Sequence, residues 1–430
     1  MAAASVIASA AVLLRDMSIS KTLGRTQETD TLLAGMVVAT TLAQLVPSTF
    51  QASAFAVAVE TKLRRGPRAM QELLGATSAR FVLLALALAV PLVVLAHPIA
   101  SVIARSANVD ALAAVFPLLA VFATALALTE LGKSVLILDK RYVTYAIIGG
   151  FGNLLLGGLI VLRAPATARS AAILADVAFV VALAVTWTYL LSRGLVRMRS
   201  EERHDTELRR IYRQAPPTLG AGILTIGMSV VDQIFTISLG AGSYATLQFA
   251  QRWPLFATQL PALALGQVLL RSLAEDAVRL DARGLRSHVR HTAAAGFGLG
   301  LLAALGGLVI GPFIVRATLQ GGQFTAADAD AVISVQNLLF LQAPFYIGGI
   351  VYLRVLNALR LNVLGFVIGG VMLGLNALFD WLFTRPVTYG VHGIALATVL
   401  VYVFSGLCLV VVGELVLRGR IADERRSAST

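Results

Sequence analysis

The sequence predicts an all-α polytopic membrane protein, with about 12 transmembrane helices in two pseudo-symmetric six-helix lobes around a central cavity. Of its 430 residues, 57% are hydrophobic and 13% are charged, and the mean hydropathy is +0.81, which excludes a soluble globular protein. Apolar runs long enough to cross a bilayer recur along the whole chain. The two lobes are predicted from a repeat, because the step from Asp16 to Gly24 returns 216 residues later between Asp232 and Gly240.

The first predicted span is the least regular. Only 14 residues precede Arg15, whereas a helix needs ~20 residues to cross the hydrocarbon. Either this helix continues past Arg15 to Gly24 and reaches a polar cavity, or the true start of the chain lies upstream. The predicted spans are residues 1–23, 31–59, 81–104, 110–137, 142–163, 169–192, 215–239, 243–271, 291–315, 328–357, 361–383 and 389–417.

Positive charge predicts the orientation of these spans, because cytoplasmic loops carry an excess of Lys and Arg. The loops on one side, with the C-terminal tail, hold 24 basic residues and those on the other side hold 8, so both termini are predicted to be cytoplasmic. The predicted organisation is an N-lobe at 1–192, a basic cytoplasmic linker at 193–214, a C-lobe at 215–417 and a cytoplasmic tail at 418–430. The linker is interpreted as an amphipathic helix on anionic lipid headgroups.

The sequence shows no pattern typical of an enzyme. The five histidines lack metal-ligand spacing, the lone Cys408 lies in an apolar run, and neither a Gly-rich phosphate loop nor a nucleophile elbow is present. The net charge of +12 is concentrated in loops that flank the membrane, which favours lipid over nucleic acid. We therefore expect no catalytic activity, no tightly bound cofactor and no nucleic-acid partner.

Arg252 is the basic residue that is most informative about a ligand. It lies about nine residues into its span, roughly 13 Å below the outer surface at about 1.5 Å per residue. A charge at that depth needs a partner or a watery cavity, and the planar guanidinium suits a phosphate group. The alternative is a structural ion pair with Glu130 or Asp176, although Lys133, three residues from Glu130 on one helix, is the expected partner of that acid.

Four oxygen-bearing side chains in the second half are predicted to lie at similar depth. Asn376 and Asp380 are four residues apart on one helix face, and Asp232 and Thr398 lie on two other spans. Two carboxylates, an amide and a hydroxyl are suitable oxygen ligands for a small cation, and unpaired carboxylates are expensive inside a membrane. The alternative is that Asp380 merely caps its helix and that Asp232 is protonated or paired.

Several blocks of the sequence, in this order and spacing, resemble the MurJ/MviN lipid II flippases of the MATE-like MOP transporter superfamily. The resemblance covers nearly the whole chain. It is carried by Arg15-Asp16 followed by Asp30 and Pro47, by Gln248-Phe-Ala-Gln-Arg252, by Ala-Leu-Gly-Gln-Val-Leu-Leu-Arg-Ser-Leu at 264–273, and by Gly-Gly-Gln-Phe-Thr-Ala-Ala-Asp at 321–328 after Gly311-Pro312.

The resemblance implies a flippase of the bacterial inner membrane that moves an undecaprenyl-diphosphate-linked glycan by alternating access. It implies that Arg15 and Arg252 contact the diphosphate, while Asp16 and Asp30 orient the arginines or gate the outer side. It also implies Na⁺ as the coupling ion, bound by a set of residues on three helices, and peptidoglycan or exopolysaccharide synthesis proteins as partners. The residues that match the family's sodium ligands are Asp232, Asn376, Asp380 and Thr398.

One departure from the family pattern leaves the glycan open. Where the family carries a further cavity arginine, this chain has Ala43, which reduces the positive charge offered to a diphosphate. The substrate is therefore either lipid II or a related precursor such as an exopolysaccharide repeat unit. Two other functions remain as alternatives: a cation-coupled exporter of small amphiphiles, against which Arg15 and Arg252 favour an anion, and a non-transporting membrane scaffold derived from a flippase.

Overall fold

The structure, a computed structural model, describes residues 2–104, 109–197, 204–258, 282–359, 361–385 and 389–429. Within these ranges the chain is almost entirely helical, and an isolated β-bridge joins Gly321 to Phe324. The predicted all-α fold is confirmed. The helices are α1 (Ala2–Leu23), α2 (Gln27–Arg65), α3 (Pro67–Val94), α4 (Ala96–Ile103), α5 (Val109–Leu138), α6 (Tyr142–Arg163), α7 (Ala168–Ser192), α8 (Asp205–Ile237), α9 (243–258), α10 (Ala282–Leu319), α11 (Ala326–Phe340), α12 (Ala343–Ala358), α13 (Asn362–Thr384) and α14 (Gly390–Ser429).

Each predicted span is mostly helical in the part of the chain that the structure describes, but the spans predicted at 81–104 and 328–357 are each divided into two helices, at Leu95 and at residues 341–342. The bounds of α6 are those predicted, and α1 continues as a helix through Arg15 to Leu23, while the polar cavity expected beyond Arg15 stays a prediction. The span predicted at 243–271 is helical to residue 258, and its remainder lies outside the described residues. Nine helical segments of the described chain are long and apolar enough to cross a membrane.

The chain divides into two compact units, which we call the first unit (3–245 with 321–325) and the second unit (246–320 with 326–430). The lobe boundaries inferred from the sequence stay a prediction. The centre of the first unit is α5, which is buried along most of its length and packs against α2, α3 and α7. Gly132 allows α7 to approach closely, and the indole of Trp187 donates a hydrogen bond to the Leu128 carbonyl at 3.1 Å.

The helix α3 is longer than the apolar run that predicted it. Gly66, at φ +89°, turns the chain, and Pro67 opens the helix at a position where its missing N–H is not needed. Beyond Arg80 the character of the surface changes, because Leu83, with 66% of its surface exposed, begins a series of outward-facing apolar side chains. A surface of that kind faces lipid rather than water.

The second unit is built on α10, α12 and α14, which pack against one another. Gly300 of α10 lies against the start of α12 so closely that a side chain would overlap the backbone. At the other end, Glu414 of α14 accepts hydrogen bonds from Arg286 and Arg290 of α10 at 2.8 Å and from the Tyr352 hydroxyl of α12 at 3.1 Å. These hydrogen bonds join the three helices at that end of the unit.

Candidate substrate and cation sites

Arg15 is held in place within α1 by two polar partners. Its Nε and Nη2 donate to Oδ1 of Asp16 at 3.0 and 2.7 Å, and its Nη1 donates to Oδ1 of Asn153 on α6 at 3.0 Å. The side chains of Arg15 and Asp16 are 12% and 2% exposed. Three of the five guanidinium N–H groups are thus engaged. The role that the resemblance implies for Asp16, orienting the arginines or gating the outer side, stays a prediction.

A glycine allows this arrangement to form. Gly157 of α6 faces α1, and a Cβ at Gly157 would lie 3.3 Å from the Cα of Arg15 and from the hydroxyl of Ser18. Small residues let membrane helices approach to this distance. The approach brings Asn153, one helical turn earlier on α6, within reach of the guanidinium.

Asp30 lies at the start of α9 and accepts two backbone hydrogen bonds there. Its Oδ2 accepts a hydrogen bond from the Gly242 N–H at 2.6 Å, and its Oδ1 accepts one from the Ala245 N–H at 2.7 Å. Asp30 is only 4% exposed, and its carboxylate thus caps the N-terminus of α9. The first N–H groups of any helix have no acceptor within the helix, and the helix dipole favours negative charge at this end. Asp30 thereby fixes the first turn of the helix on which Arg252 lies.

The turn between α1 and α2 is covered by residues 321–325, which contain the Gly-Gly-Gln-Phe block. The Gln323 N–H donates to the Lys21 carbonyl at 2.9 Å and so satisfies one of the last acceptors of α1. Gly322, at φ +59°, lies where any Cβ would overlap the Lys21 carbonyl oxygen, and Gly24, at φ +67°, lies against Gln323. The block therefore forms a tight turn that docks on the end of α1.

Arg252 lies on α9 within the second unit and is partly buried. The next residue, Trp253, makes an edge-to-face contact with Phe256, with ring centroids 6.1 Å apart, so two aromatic side chains follow the arginine along its helix. The block at 264–273 that contributed to the resemblance lies outside the described residues. The assignment of Arg252 to the diphosphate stays a prediction.

The acid Glu130 is engaged within its own helix. Lys133 Nζ donates to Glu130 Oε1 at 2.7 Å and lies 4.9 Å from the ring centroid of Tyr145. The expected pairing of Lys133 with Glu130 is confirmed. Because Lys133 is almost completely buried, the ion pair and the aromatic face together compensate for the removal of its ammonium group from water.

Two of the four predicted cation ligands come together on α13. Asn376 Nδ2 donates to Asp380 Oδ2 at 3.3 Å, and both side chains are buried. Thr398 lies on α14 and donates its hydroxyl hydrogen to the Ile394 carbonyl at 3.0 Å, while Asp232 lies on α8 in the first unit. A hydroxyl that donates to its own helix keeps lone pairs that can coordinate a cation, so amide, carboxylate and hydroxyl oxygens suit a hard ion.

The described residues contain no group of three or more His, Cys, Asp or Glu side chains with the geometry of a metal site. A site of the predicted type would depend on amide and hydroxyl oxygens as well as carboxylates, and its four residues remain a prediction.

Asn153, the partner of Arg15, was not predicted from the sequence. The signal was present, because Asn153 is the one amide in the apolar run of α6, and a polar side chain at that depth needs a hydrogen-bond partner. Ala43, where the family carries an arginine, is buried on α2. Its methyl group is enclosed by packed neighbours, so this position offers no open site for a longer side chain.

Comparison with known proteins relates this chain to one protein family. The sequence profile of the family described as lipid II flippase MurJ matches residues 19–414. No curated protein matches the chain by sequence. The first residues of α1, including Arg15 and Asp16, lie before the start of the profile match.

Solved structures of the same architecture come from two transporter groups. A lipid II flippase MurJ in an inward closed conformation has a TM-score of 0.78 at 17% identity, covering 96% of this chain and 86% of that one. An inward-facing multidrug resistance MATE transporter of the MOP superfamily has a TM-score of 0.76 at 14% identity, with coverages of 96% and 95%. The Vibrio cholerae MATE transporter VcmN in its bent form has a TM-score of 0.57 at 16% identity, with coverages of 98% and 99%.

At these identities the structural similarities establish the fold, whereas the profile match, which extends over most of the sequence, establishes the family. Together with nine apolar helical segments in the described chain, they identify a multi-pass integral membrane protein. The chain belongs to the MurJ lipid II flippase family.

Proposed function

We propose that this protein moves an undecaprenyl-diphosphate-linked glycan, lipid II or a related polysaccharide precursor, from the inner to the outer leaflet of a bacterial inner membrane by alternating access. Both termini are cytoplasmic in this proposal, and no catalytic step is assigned to any residue. The observation that carries it is the guanidinium of Arg15, partly buried within a membrane protein and fixed by Asp16 and Asn153.

The geometry of Arg15 supports recognition of phosphate. Asp16 and Asn153 engage three N–H groups, which leaves two donors that can bond to phosphate oxygens. Because the side chain is already ordered, little further rotamer entropy is lost when an anion binds. In surroundings of low dielectric such charge-assisted hydrogen bonds are stronger than in water.

Asp30 and Arg252 extend this proposal. Arg252 supplies a second guanidinium to the diphosphate, and Asp30 is a positioning residue that fixes the N-terminus of α9 through Gly242 and Ala245. Proteins of peptidoglycan or exopolysaccharide synthesis would deliver and remove the lipid-linked glycan. Such a substrate must be assembled on one leaflet and consumed on the other.

The experiment that tests this function is complementation of a bacterium depleted of its own lipid II flippase. We expect the wild-type chain to restore growth, and both Arg15→Ala and Arg252→Ala to abolish it. Arg316→Ala is the matched control, because Arg316 is exposed and, among the described residues, forms an ion pair at 2.7 Å with Asp330, which is also exposed. Membrane insertion of each variant is checked by immunoblotting of the membrane fraction.

Outer-leaflet lipid II, measured by its cleavage with an externally added lipid II-degrading enzyme, separates flipping from a scaffold role. Restored growth together with restored outer-leaflet lipid II is the expected result. If the correctly inserted protein restores neither, lipid II is not its substrate, and the same assay with an exopolysaccharide precursor decides between the two glycans. Normal flipping by Arg15→Ala would remove the observation on which the proposal rests.

We also propose that Na⁺ binds at Asp232, Asn376, Asp380 and Thr398 and biases the conformational equilibrium. A ligand that binds the folded state raises its stability by mass action, so NaCl should raise the apparent Tm relative to choline chloride at equal ionic strength. Asp380→Asn should remove this difference, whereas Asp330→Asn, on an exposed residue of the same unit, should retain it. An equal response of wild type and Asp380→Asn to NaCl would contradict the assignment.

A further inference from the structure

A cavity of about 870 Å³ opens in the first unit between α3 and the first turns of α8. Neither Arg15 nor Asp30 lines it, and the proposed function does not use it. Arginine side chains contributed by both helices dominate its wall. The residues on which the inference depends are Arg80, Asp205, Arg209, Tyr212 and Arg213.

Among the described residues, the cavity wall carries more positive than negative charge. Arg210 also lines it, but its Nη1 is paired with Glu60 Oε2 at 2.7 Å. Arg209 and Arg213, by contrast, form no ion pair with a carboxylate in the part of the chain that the structure describes. Asp205 is the only acid among the described wall residues, so the wall retains a net positive charge. Such a cavity attracts an anion.

The depth of the cavity indicates where that anion comes from. Arg80 immediately precedes the apolar run of α3, whose lipid-facing series begins at Leu83. Arg213 lies two residues before the span predicted at 215–239. Two helices therefore place an arginine just outside their apolar segments, at the level where the phosphate groups of bilayer lipids lie.

Tyr212 provides a further polar group in the same wall. The guanidinium carbon of Arg80 lies 4.9 Å from the centroid of the Tyr212 ring, which orients both side chains. The Tyr212 hydroxyl is buried and donates no hydrogen bond to a described residue. Burial raises the pKa of Tyr212, despite the opposing effect of Arg80, so the group remains a neutral donor. A buried donor without an acceptor is unfavourable, and a phosphate oxygen would satisfy it.

We propose that this cavity binds the phosphate headgroup of an anionic phospholipid of the surrounding bilayer, between α3 and α8. Arg209 and Arg213, one helical turn apart on α8, would contact the phosphate from one side and Arg80 from the other. The ligand is a structural or regulatory lipid and not the transported glycan. The site therefore stands or falls independently of the proposed function.

The test is retention of lipid by the purified full-length protein, measured by native mass spectrometry after titration with phosphatidylglycerol or phosphatidylcholine. The wild type should retain phosphatidylglycerol in preference to phosphatidylcholine. The variant Arg209→Gln/Arg213→Gln should bind phosphatidylglycerol roughly 30-fold more weakly, from the contribution of each basic side chain at a membrane surface. Tyr212→Phe, which alters no charge, should weaken binding roughly 5-fold.

The matched control is Arg163→Gln/Arg283→Gln, which removes the same charge from two exposed arginines outside the cavity wall and should leave binding unchanged. Circular dichroism and gel filtration verify that every variant is folded. Equal retention of the two lipids, or equal loss in the test and control variants, overturns the proposal. Displacement by water-soluble glycerophosphoglycerol at equal concentration would assign the cavity to a soluble phosphate compound, and stronger retention of undecaprenyl diphosphate would assign it to the transport substrate. Either result would also overturn it.

Discussion

Replacing Asp30 with alanine should destabilise the first unit more than any other single carboxylate change near its turns. The substitution removes both acceptors from the Gly242 and Ala245 N–H groups, which are 2.6 and 2.7 Å from the carboxylate oxygens. Hydrogen bonds to a charged group contribute about 1.5–3 kcal/mol each. After allowance for the desolvation that the buried aspartate no longer incurs, the expected loss is roughly 3 kcal/mol.

The assay is the apparent Tm of the purified protein in detergent, compared with that of Glu28→Ala. Glu28 lies two residues away and accepts a hydrogen bond from the Ala168 N–H at 2.6 Å, but it is exposed, and α7 has its own capping box. Its removal should cost about 0.5–1 kcal/mol. Asp30→Asn keeps one acceptor, so its apparent Tm should lie between those of Asp30→Ala and Glu28→Ala. An equal decrease in Tm for Asp30→Ala and Glu28→Ala would refute the capping role.

Three further substitutions test the packing around the proposed sites. Gly157→Val should push α6 away from α1 and abolish complementation even though no charged group is altered, whereas survival at normal expression would contradict the close approach. Gly322→Ala combines a positive φ with overlap on the Lys21 carbonyl and should lower the apparent Tm by several degrees, and an unchanged Tm would exclude the docked turn. Glu130→Leu should cost about 3–5 kcal/mol because it leaves the Lys133 ammonium buried without its acid, and the double substitution with Lys133→Met should recover most of that loss in the same assay.

Helix bounds and pairs of side chains on the same helix could be predicted from the sequence. The apolar run of α6 predicted its helix bounds, and the three-residue spacing of Glu130 and Lys133 predicted their ion pair. The four-residue spacing of Asn376 and Asp380 likewise placed them on one face of α13. Helix periodicity fixes each of these relationships without information from the rest of the chain.

The polar extension of α3 could not be predicted from hydropathy. The apolar run begins at Phe81, whereas the helix begins at Pro67, because a positive-φ glycine and a proline determine where it starts. The apolar part of a helix marks its depth in the membrane and does not mark its ends. The basic cavity is lined by Arg80, which lies in this extension, and by arginines of the predicted linker. The basic residues of the linker could therefore be recognised in the sequence, but the cavity that they form with α3 could not.

Hydrogen-bond partners that are far apart in the chain also could not be predicted from the sequence. Asn153 is separated from Arg15 by 138 residues, and Ala245 from Asp30 by 215. The spacing of residues along a chain carries no information on such contacts unless a repeat supplies it. For Asp30 the repeat does supply part of it, because the turns that follow Asp16 and Asp232 both contain glycines at positive φ and both lead into a helix.

In the structure these two related turns meet. Gly242 lies against the backbone of Arg25, where a side chain would overlap the carbonyl group, and Asp30 bonds to the Gly242 N–H. The Asp30 carboxylate thus joins the two turns through its hydrogen bonds to the backbone N–H groups. The family resemblance assigns this residue to orienting arginines or to gating. Gating and capping are compatible, because a carboxylate can control access by releasing a helix N-terminus. They differ in one consequence: gating by charge alone would leave the apparent Tm of Asp30→Ala unchanged, whereas release of the helix must lower it.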